Sequence, residues 1–333
     1  PNGVKSLLQA GFDVTIEHDL TRAISIESYS GAQVAGTGDW RSAPKEAIII
    51  GLKELPEEIT PLHHRHIMFG HAFKDQPDGQ KLLERFQAGG GTLYDLEYLT
   101  DDTGRRVAAF GYWAGYAGAA VAIKSWAAAQ KGNICQPLQT FASAKDLNAD
   151  VALDLGKKKP SVIIIGANGR VGSGAQDFCA ALGASVTCWD IEETAHGGPF
   201  PEILDHDIFL NCILANKNTP VFVPKKAKIG PRKLMVIGDI ACDPGSFYSP
   251  IKVYDCATSW EKPALRVHKD KILDITAIDN LPSLLPKESS EDFAAQLLPH
   301  LMMLQEIEKG VWGKASAIFN EYISKTNSAK SQS

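Results

Sequence analysis

Pro160-Ser161-Val162-Ile163-Ile164-Ile165-Gly166-Ala167-Asn168-Gly169-Arg170-Val171-Gly172 carries an unbroken apolar run straight into three glycines spaced three residues apart. Such a run, bounded by turn residues, reads as a strand buried on both faces, with a helix expected behind it over residues 174–182. Each glycine has its own reason. Gly166 permits the tight turn, Gly169 lets the backbone approach a pyrophosphate, and Gly172 allows close helix–strand packing. Unpaired N–H groups at the helix start then face the anion. The spacing is G-x-x-G-x-x-G, and ligand-free turns also use such glycines, so context must decide. The next apolar stretch, 185–189, ends in Asp190, the acidic residue expected to accept ribose hydroxyls. A 2′-phosphate would be repelled there unless Arg170 compensates, so NAD is the expected cofactor.

Strand-like runs at 159–166, 185–190, 208–213 and 234–239 place this loop in a four-stranded α/β series. An earlier series precedes it: a helix over 4–10, strands over 12–17, 47–51, 67–72 and 93–96, and a helix over 80–88 stopped by Gly89-Gly90-Gly91. Four or five βα units are expected there. The expected fold class is α/β: two Rossmann-like doubly wound domains with a cleft between them, and C-terminal helices over 290–308 and 315–324 returning to the first. The expected boundaries are 1–110 with 287–333 for the catalytic domain and 111–286 for the NAD-binding domain. Because Pro1-Asn2-Gly3 leads directly into a helix, the first domain is expected to lack its first strand. The small-residue run 111–130 permits close helix packing and suits a domain-connecting helix. Residues 330–333 read as a polar, frayed tail.

Composition narrows the function. With 34 Lys and Arg against 39 Asp and Glu, the formal charge of −5 speaks against a nucleic-acid partner, which would demand a basic face. No apolar stretch is long enough for a membrane helix, so a cytoplasmic protein with a small-molecule substrate is expected. The six cysteines are scattered without a C-x-x-C pair, which points to reduced, mostly buried thiols and no metal site. His63, His64 and His66 lack accompanying ligands of metal spacing and read as a surface loop.

Two strands of the first series end in groups able to move protons, Lys53 and His71. Ligand crevices in parallel sheets lie at the carboxyl ends of strands, although a solvated lysine and an ordinary strand-end histidine would look the same. Around them, Gly51-Leu52-Lys53-Glu54, His71-Ala72-Phe73-Lys74-Asp75-Gln76, Gly91-Thr92-Leu93-Tyr94-Asp95-Leu96-Glu97, Gly104-Arg105-Arg106-Val107-Ala108-Ala109-Phe110-Gly111 and Ile278-Asp279-Asn280-Leu281-Pro282-Ser283-Leu284-Leu285-Pro286 resemble the NAD-dependent, lysine-forming saccharopine dehydrogenases nearly end to end. Alanine dehydrogenase is a more distant relative sharing the glycine loop and a Lys/His pair.

The resemblance implies a monomeric enzyme that cleaves saccharopine to L-lysine and 2-oxoglutarate. It implies Lys53 as base and His71 as acid–base catalyst, with Glu54 and Glu97 tuning their charge. It places Lys74, Gln76, Arg106, Phe110, Ala241, Cys242 and Asp243 around the substrate. Arg105, Gly169, Arg170, Asp190, Thr194, Leu214, Ile240, Ile278, Asp279, Asn280 and Leu281 fall around NAD. Leu214 stands where an aromatic residue can occur, and Cys242 where a small polar one can. The alternatives are an amino-acid dehydrogenase of the alanine dehydrogenase type and a catalytically silent NAD-binding protein; the anchors Lys74, Gln76, Arg105 and Arg106 favour a larger, more charged substrate than alanine.

Overall fold

The computed structural model describes residues 1–53, 55–56, 58–73 and 77–330. The chain separates into two units, Pro1–Ala109 with Asp292–Ser333, and Phe110–Glu291.

The first unit opens on α1 (Asn2–Gln9), followed by β1 (Thr15–Glu17) and β2 (Gln33–Ala35), which pair in parallel as a small sheet of their own. β3 (Ile48–Ile50), β4 (Arg65–Met68) and β5 (Thr92–Asp95) form a three-stranded parallel sheet in that order. Among the described residues, only β4 and β5 are joined by a crossover helix, α2 (Pro77–Gly89). Among the described residues the expected four or five βα units are therefore a single complete one. β2 escaped the reading because three residues between Gly31 and Gly36 offer no periodicity.

The expectation of a surface histidine loop is corrected. His63 is exposed, but His64 and His66 are 4% and 1% exposed. Strand alternation turns His66 away from Arg65 and into an aromatic cage, its ring edge-on to Trp40 at 5.2 Å and to Phe86 at 5.4 Å.

The second unit begins with α3 (Gly111–Ala129), which is buried along most of its length. Then come α4 (Ala144–Leu155), β6 (Ser161–Ile165), α5 (Arg170–Ala181), β7 (Ser185–Trp189), the single-turn α6 (Ile191–Thr194), β8 (Ile208–Asn211), β9 (Val236–Asp239), β10 (Leu265–His268) and β11 (Leu273–Thr276). They build a six-stranded sheet in the order β10-β11-β9-β8-β6-β7, parallel except for β10 against β11. The last two strands exceed the four expected. Their apolar pattern is broken by Arg266 and Asp274, which form a bidentate pair with Asp274 fully buried. The unforeseen α4 starts at Ser143, whose hydroxyl accepts the Asp146 N–H at 3.2 Å.

Successive residues of β6 bury opposite faces of this sheet. Val162 and Ile164 join the core under α3, α4 and α5, while Ile163 and Ile165 join a second core with Phe200, Phe209, Phe222 and Val253. Burial of each such isoleucine contributes about 2 kcal/mol. Helices cover the first face; the second is covered mainly by tight turns and extended segments rather than by further long helices. The α3–α5 contact rests on Gly115 and Gly174, where an added Cβ would run into the Val171 and Tyr112 carbonyl oxygens respectively.

α7 (Pro286–Leu301) and α8 (Gly310–Lys330) close the chain. The single helix expected over 290–308 stops at Leu301 and resumes only as a short turn at Leu304–Glu306. α8 packs on β5 and α2 of the first unit, with Trp312 edge-on to Tyr94 and Tyr322 stacked on Phe73 at 4.7 Å. Helix α8 includes Lys330, the first residue of the expected tail; 331–333 lie outside the described residues.

Candidate active site

In the second unit, every segment named for the cofactor leaves the carboxyl end of a parallel strand. The glycine loop follows β6, Asp190 follows β7, Leu214 lies beyond β8, Ile240 follows β9, and Ile278 to Leu281 lie beyond β11. From β6 the chain moves to β7 on one side and then to β8 on the other, so the loop sits at the topological switch point where open α/β sheets bind ligands.

The helix after the loop begins at Arg170 rather than at the expected 174, with Gly169 as its N-cap and no side chain capping it. Packing of α5 on α3 outweighs the poor helix propensity of Gly172 and Gly174. Gly166 has φ 88°, and a Cβ there would meet Ile213 Cγ2 at 2.6 Å. A Cβ on Gly172 would meet the Ala167 carbonyl oxygen at 2.5 Å. At Gly169 the nearest atom is the Gly166 carbonyl oxygen at 3.5 Å. The loop is thus packed at its outer glycines and open at its middle one, above uncapped N–H groups, which fits a pyrophosphate.

Asp190 borders that opening. Its Oδ2 accepts the Asn168 N–H at 2.8 Å and its Oδ1 the Ile191 N–H at 2.9 Å, which ties the acid to the loop and leaves lone pairs for hydroxyl donors. Thr194 Oγ1 donates to the Asp190 carbonyl at 2.8 Å, fixing the turn behind it. Arg170 is half-buried at the start of α5, Leu214 is exposed, and Ile240, Ile278 and Leu281 are buried. Asp279 and Asn280 are exposed, with Asn280 Oδ1 accepting the Trp260 Nε1–H at 3.0 Å. These residues fit an adenine dinucleotide: an open glycine, a ribose acceptor and apolar walls.

At the end of β9, sequence reading missed a buried carboxylate. Asp239 accepts from Asn211 Nδ2 at 2.9 Å and from the Tyr254 hydroxyl at 2.5 Å. Burial raises its carboxyl above the ordinary range, while these hydrogen bonds pull it back. Three residues on, Cys242 holds φ 48° and donates its thiol to the Ala277 carbonyl at 3.1 Å. Burial pushes that thiol up to about 12, so it stays protonated at neutral pH. Ala241 is half-buried and Asp243 exposed. The thiols are all free, but only Cys135 and Cys179 are buried and Cys188 and Cys256 are exposed, which corrects the expectation of mostly buried cysteines.

In the first unit the same geometry gathers the proton-transfer candidates. Beyond the β3–β4 ladder, Gly51 N–H still bonds the Ile67 carbonyl at 2.9 Å and Phe69 N–H the Leu52 carbonyl at 3.0 Å. Leu96 N–H bonds the Met68 carbonyl at 2.9 Å on the other side of β4. Lys53, His71 and Glu97 therefore emerge from neighbouring strands at one end of one sheet, with Lys53 and His71 exposed and Glu97 half-buried. His71 has φ 47°; among the described residues, it and Cys242 are the non-glycines with positive φ. Backbone strain of roughly 1–3 kcal/mol per residue persists only where surroundings impose it, and it concentrates at functional sites.

Arg105 and Arg106 are exposed on a turn after β5, organised by Asp101 Oδ1, which accepts from the Thr103 and Arg105 N–H groups at 2.9 and 3.0 Å. Phe110 is half-buried as the N-cap of α3. Glu54, Lys74 and Gln76 lie outside the described residues. Among the described residues no group of three or more His, Cys, Asp or Glu side chains is arranged for a metal ion, and no helix is long and apolar enough to cross a membrane.

Two parallel sheets with chemistry-bearing loops at their carboxyl ends, one with a dinucleotide turn, define an α/β dehydrogenase fold. Residues 1–117 match the alanine dehydrogenase/PNT N-terminal domain, and a solved L-alanine dehydrogenase superposes with a TM-score of 0.66 at 18% identity, over 92% of this chain and 85% of that one. The sequence is 41% identical to the saccharopine dehydrogenase (NAD+, L-lysine-forming) of Candida albicans, over 98% of this chain and 93% of that protein. Its counterpart in Candida glabrata is 44% identical, over 97% and 92%. The chain belongs to this saccharopine dehydrogenase family.

Proposed function

We propose that the chain catalyses the reversible, NAD-dependent oxidative cleavage of saccharopine to L-lysine and 2-oxoglutarate, the lysine-forming step of the aminoadipate route. The observation that carries this reading is identity of 41% and 44% to curated saccharopine dehydrogenases across nearly the whole chain. We assign residues 1–110 with 287–333 to catalysis and 111–286 to the cofactor. The protein acts as a cytoplasmic monomer.

The substrate's secondary amine must be neutral before hydride can leave the adjacent carbon, and Lys53 takes that proton. The glycine loop and Asp190 would hold NAD by its pyrophosphate and ribose, and the cofactor would supply the hydride acceptor that turns the substrate's amine into an imine. His71 then removes a proton from the water that attacks the imine carbon, and returns one to the departing lysine nitrogen as the carbon–nitrogen bond breaks. Water supplies the oxygen of the new keto group, so the step yields lysine, 2-oxoglutarate, NADH and one proton. Glu54 and Glu97 set the charge around this pair. Arg105 and Arg106 supply fixed cations, Arg106 with Lys74 and Gln76 toward the substrate carboxylates and Arg105 toward the cofactor. Phe110, Ala241, Cys242 and Asp243 border the substrate. Asp190 selects NAD over its 2′-phosphorylated form.

Saccharopine with NAD at alkaline pH should raise absorbance from NADH. Faster NADH oxidation with pyruvate and ammonia than with 2-oxoglutarate and lysine would instead favour the alanine dehydrogenase type, whose N-terminal domain this chain's first 117 residues match.

A further inference from the structure

Asp95 ends β5 with no exposed surface, and its carboxylate faces the turn that carries His71. Oδ2 accepts the Gly70 N–H at 3.2 Å, and Oδ1 accepts the Glu97 N–H at 2.9 Å. Gly70 immediately precedes His71, whose φ of 47° needs support from its surroundings. A Cβ on Gly70 would meet Leu93 Cδ2 at 2.7 Å and Asp95 Oδ2 at 3.3 Å, so turn, strand and carboxylate fit without slack.

A fully buried carboxylate is costly, and this one is kept where its two oxygens separately accept the Gly70 and Glu97 N–H groups, which a single amide or hydroxyl oxygen would not match. The charged groups bearing on Asp95 come from both neighbouring strand ends: Glu97 beside it opposes ionisation, and His71 beyond β4 favours it. Tyr98 also feels this carboxylate, and Tyr322 of α8 lies near Tyr98 with Phe73 packed against both rings. Burial raises the Asp95 carboxyl above its ordinary range, and the two N–H groups and His71 pull it back.

We infer that Asp95 is a positioning residue for His71, fixing the Gly70–His71 turn from behind and opposing a negative charge to the imidazolium that forms when His71 takes a proton. The inference rests on the reading of His71 as the acid–base group. Asp95 does not touch substrate; it acts through the turn and through charge.

The test compares saccharopine oxidation against pH for the full chain and for His71→Gln, Asp95→Asn and Gly70→Ala, with NADH affinity by fluorescence as a control on the second unit. His71→Gln should abolish one limb of the profile. Asp95→Asn should move the midpoint of that limb toward lower pH and lower kcat at least about tenfold, with NADH affinity unchanged. Gly70→Ala displaces the turn but keeps the charge, so it should lower kcat without moving the midpoint. A wild-type profile in Asp95→Asn, with the limb lost in His71→Gln, overturns the inference alone. A wild-type profile in His71→Gln overturns the acid–base reading beneath it. Wild-type kcat in Gly70→Ala overturns the positioning part whether or not Asp95→Asn folds.

Discussion

Replacing His66 by Phe should flatten the acid sensitivity of the first unit. The His66 ring is held between Trp40 and Phe86, and its buried Nε2 has no hydrogen-bond partner. Burial, then the nearby His64 and Arg85, lowers its titration from 6.5 to about 4. The unfolded chain therefore binds this proton near pH 6.5 and the folded one only near 4. Stability from the neutral ring is fully present above pH 6.5 and is lost as pH falls toward 4. Proton linkage gives a loss of about 2.5 kcal/mol between pH 7.5 and 4.5, a sizeable part of the 5–15 kcal/mol that usually separates folded from unfolded. The assay is urea unfolding followed by hydrogen exchange in the peptide spanning β4, which reads the first unit by itself. His66→Phe keeps an aromatic ring in the cage, so its stability at pH 7.5 should lie within about 1 kcal/mol of wild type. Its loss on acidification should be smaller by about 2.5 kcal/mol. An equal loss in both proteins would refute the reasoning.

Other expectations follow from single side chains. Arg232 donates to the carbonyl oxygens of Ala227, Leu234, Ile272, Lys228 and Lys271, so Arg232→Met should cost the second unit about 3 kcal/mol in urea unfolding. Asp190→Ala removes both the ribose acceptor and the Asn168 anchor; NADH binding, read by fluorescence, should weaken about tenfold or more while NADPH binding weakens less. In timed thiol labelling at pH 8 with mass mapping, the exposed Cys188 and Cys256 should react first, ahead of Cys179 and Cys242, whose thiols are pushed up to about 12.

The second unit was the more legible in sequence because its signals are strong and local. Ile163 to Ile165 can only be a doubly buried strand, and the glycines after it admit few other conformations. Reading stopped where burial is polar. β11 hides Asp274 behind Arg266, and β4 hides His66 in an aromatic cage, so hydrophobic periodicity passed over both features. The first unit was harder, since strands of three or four residues carry too little pattern to count.

The candidate site divides in the same way. Lys53 and His71 could be proposed from the sequence, as polar residues just past apolar runs whose surroundings resemble the family's. Asp95 and Asp239 were not, because an aspartate ending a strand looks like any surface turn until its hydrogen bonds are seen. The left-handed backbone at His71 and Cys242 is likewise a tertiary property with no trace in composition.

The most direct measurement is a crystal structure of the chain with NADH and saccharopine bound. The account predicts the Lys53 ammonium and the His71 imidazole within hydrogen-bond reach of the substrate's secondary amine and of the water beside its reacting carbon, with that carbon facing nicotinamide C4. Either side chain found on a surface away from the substrate would contradict it.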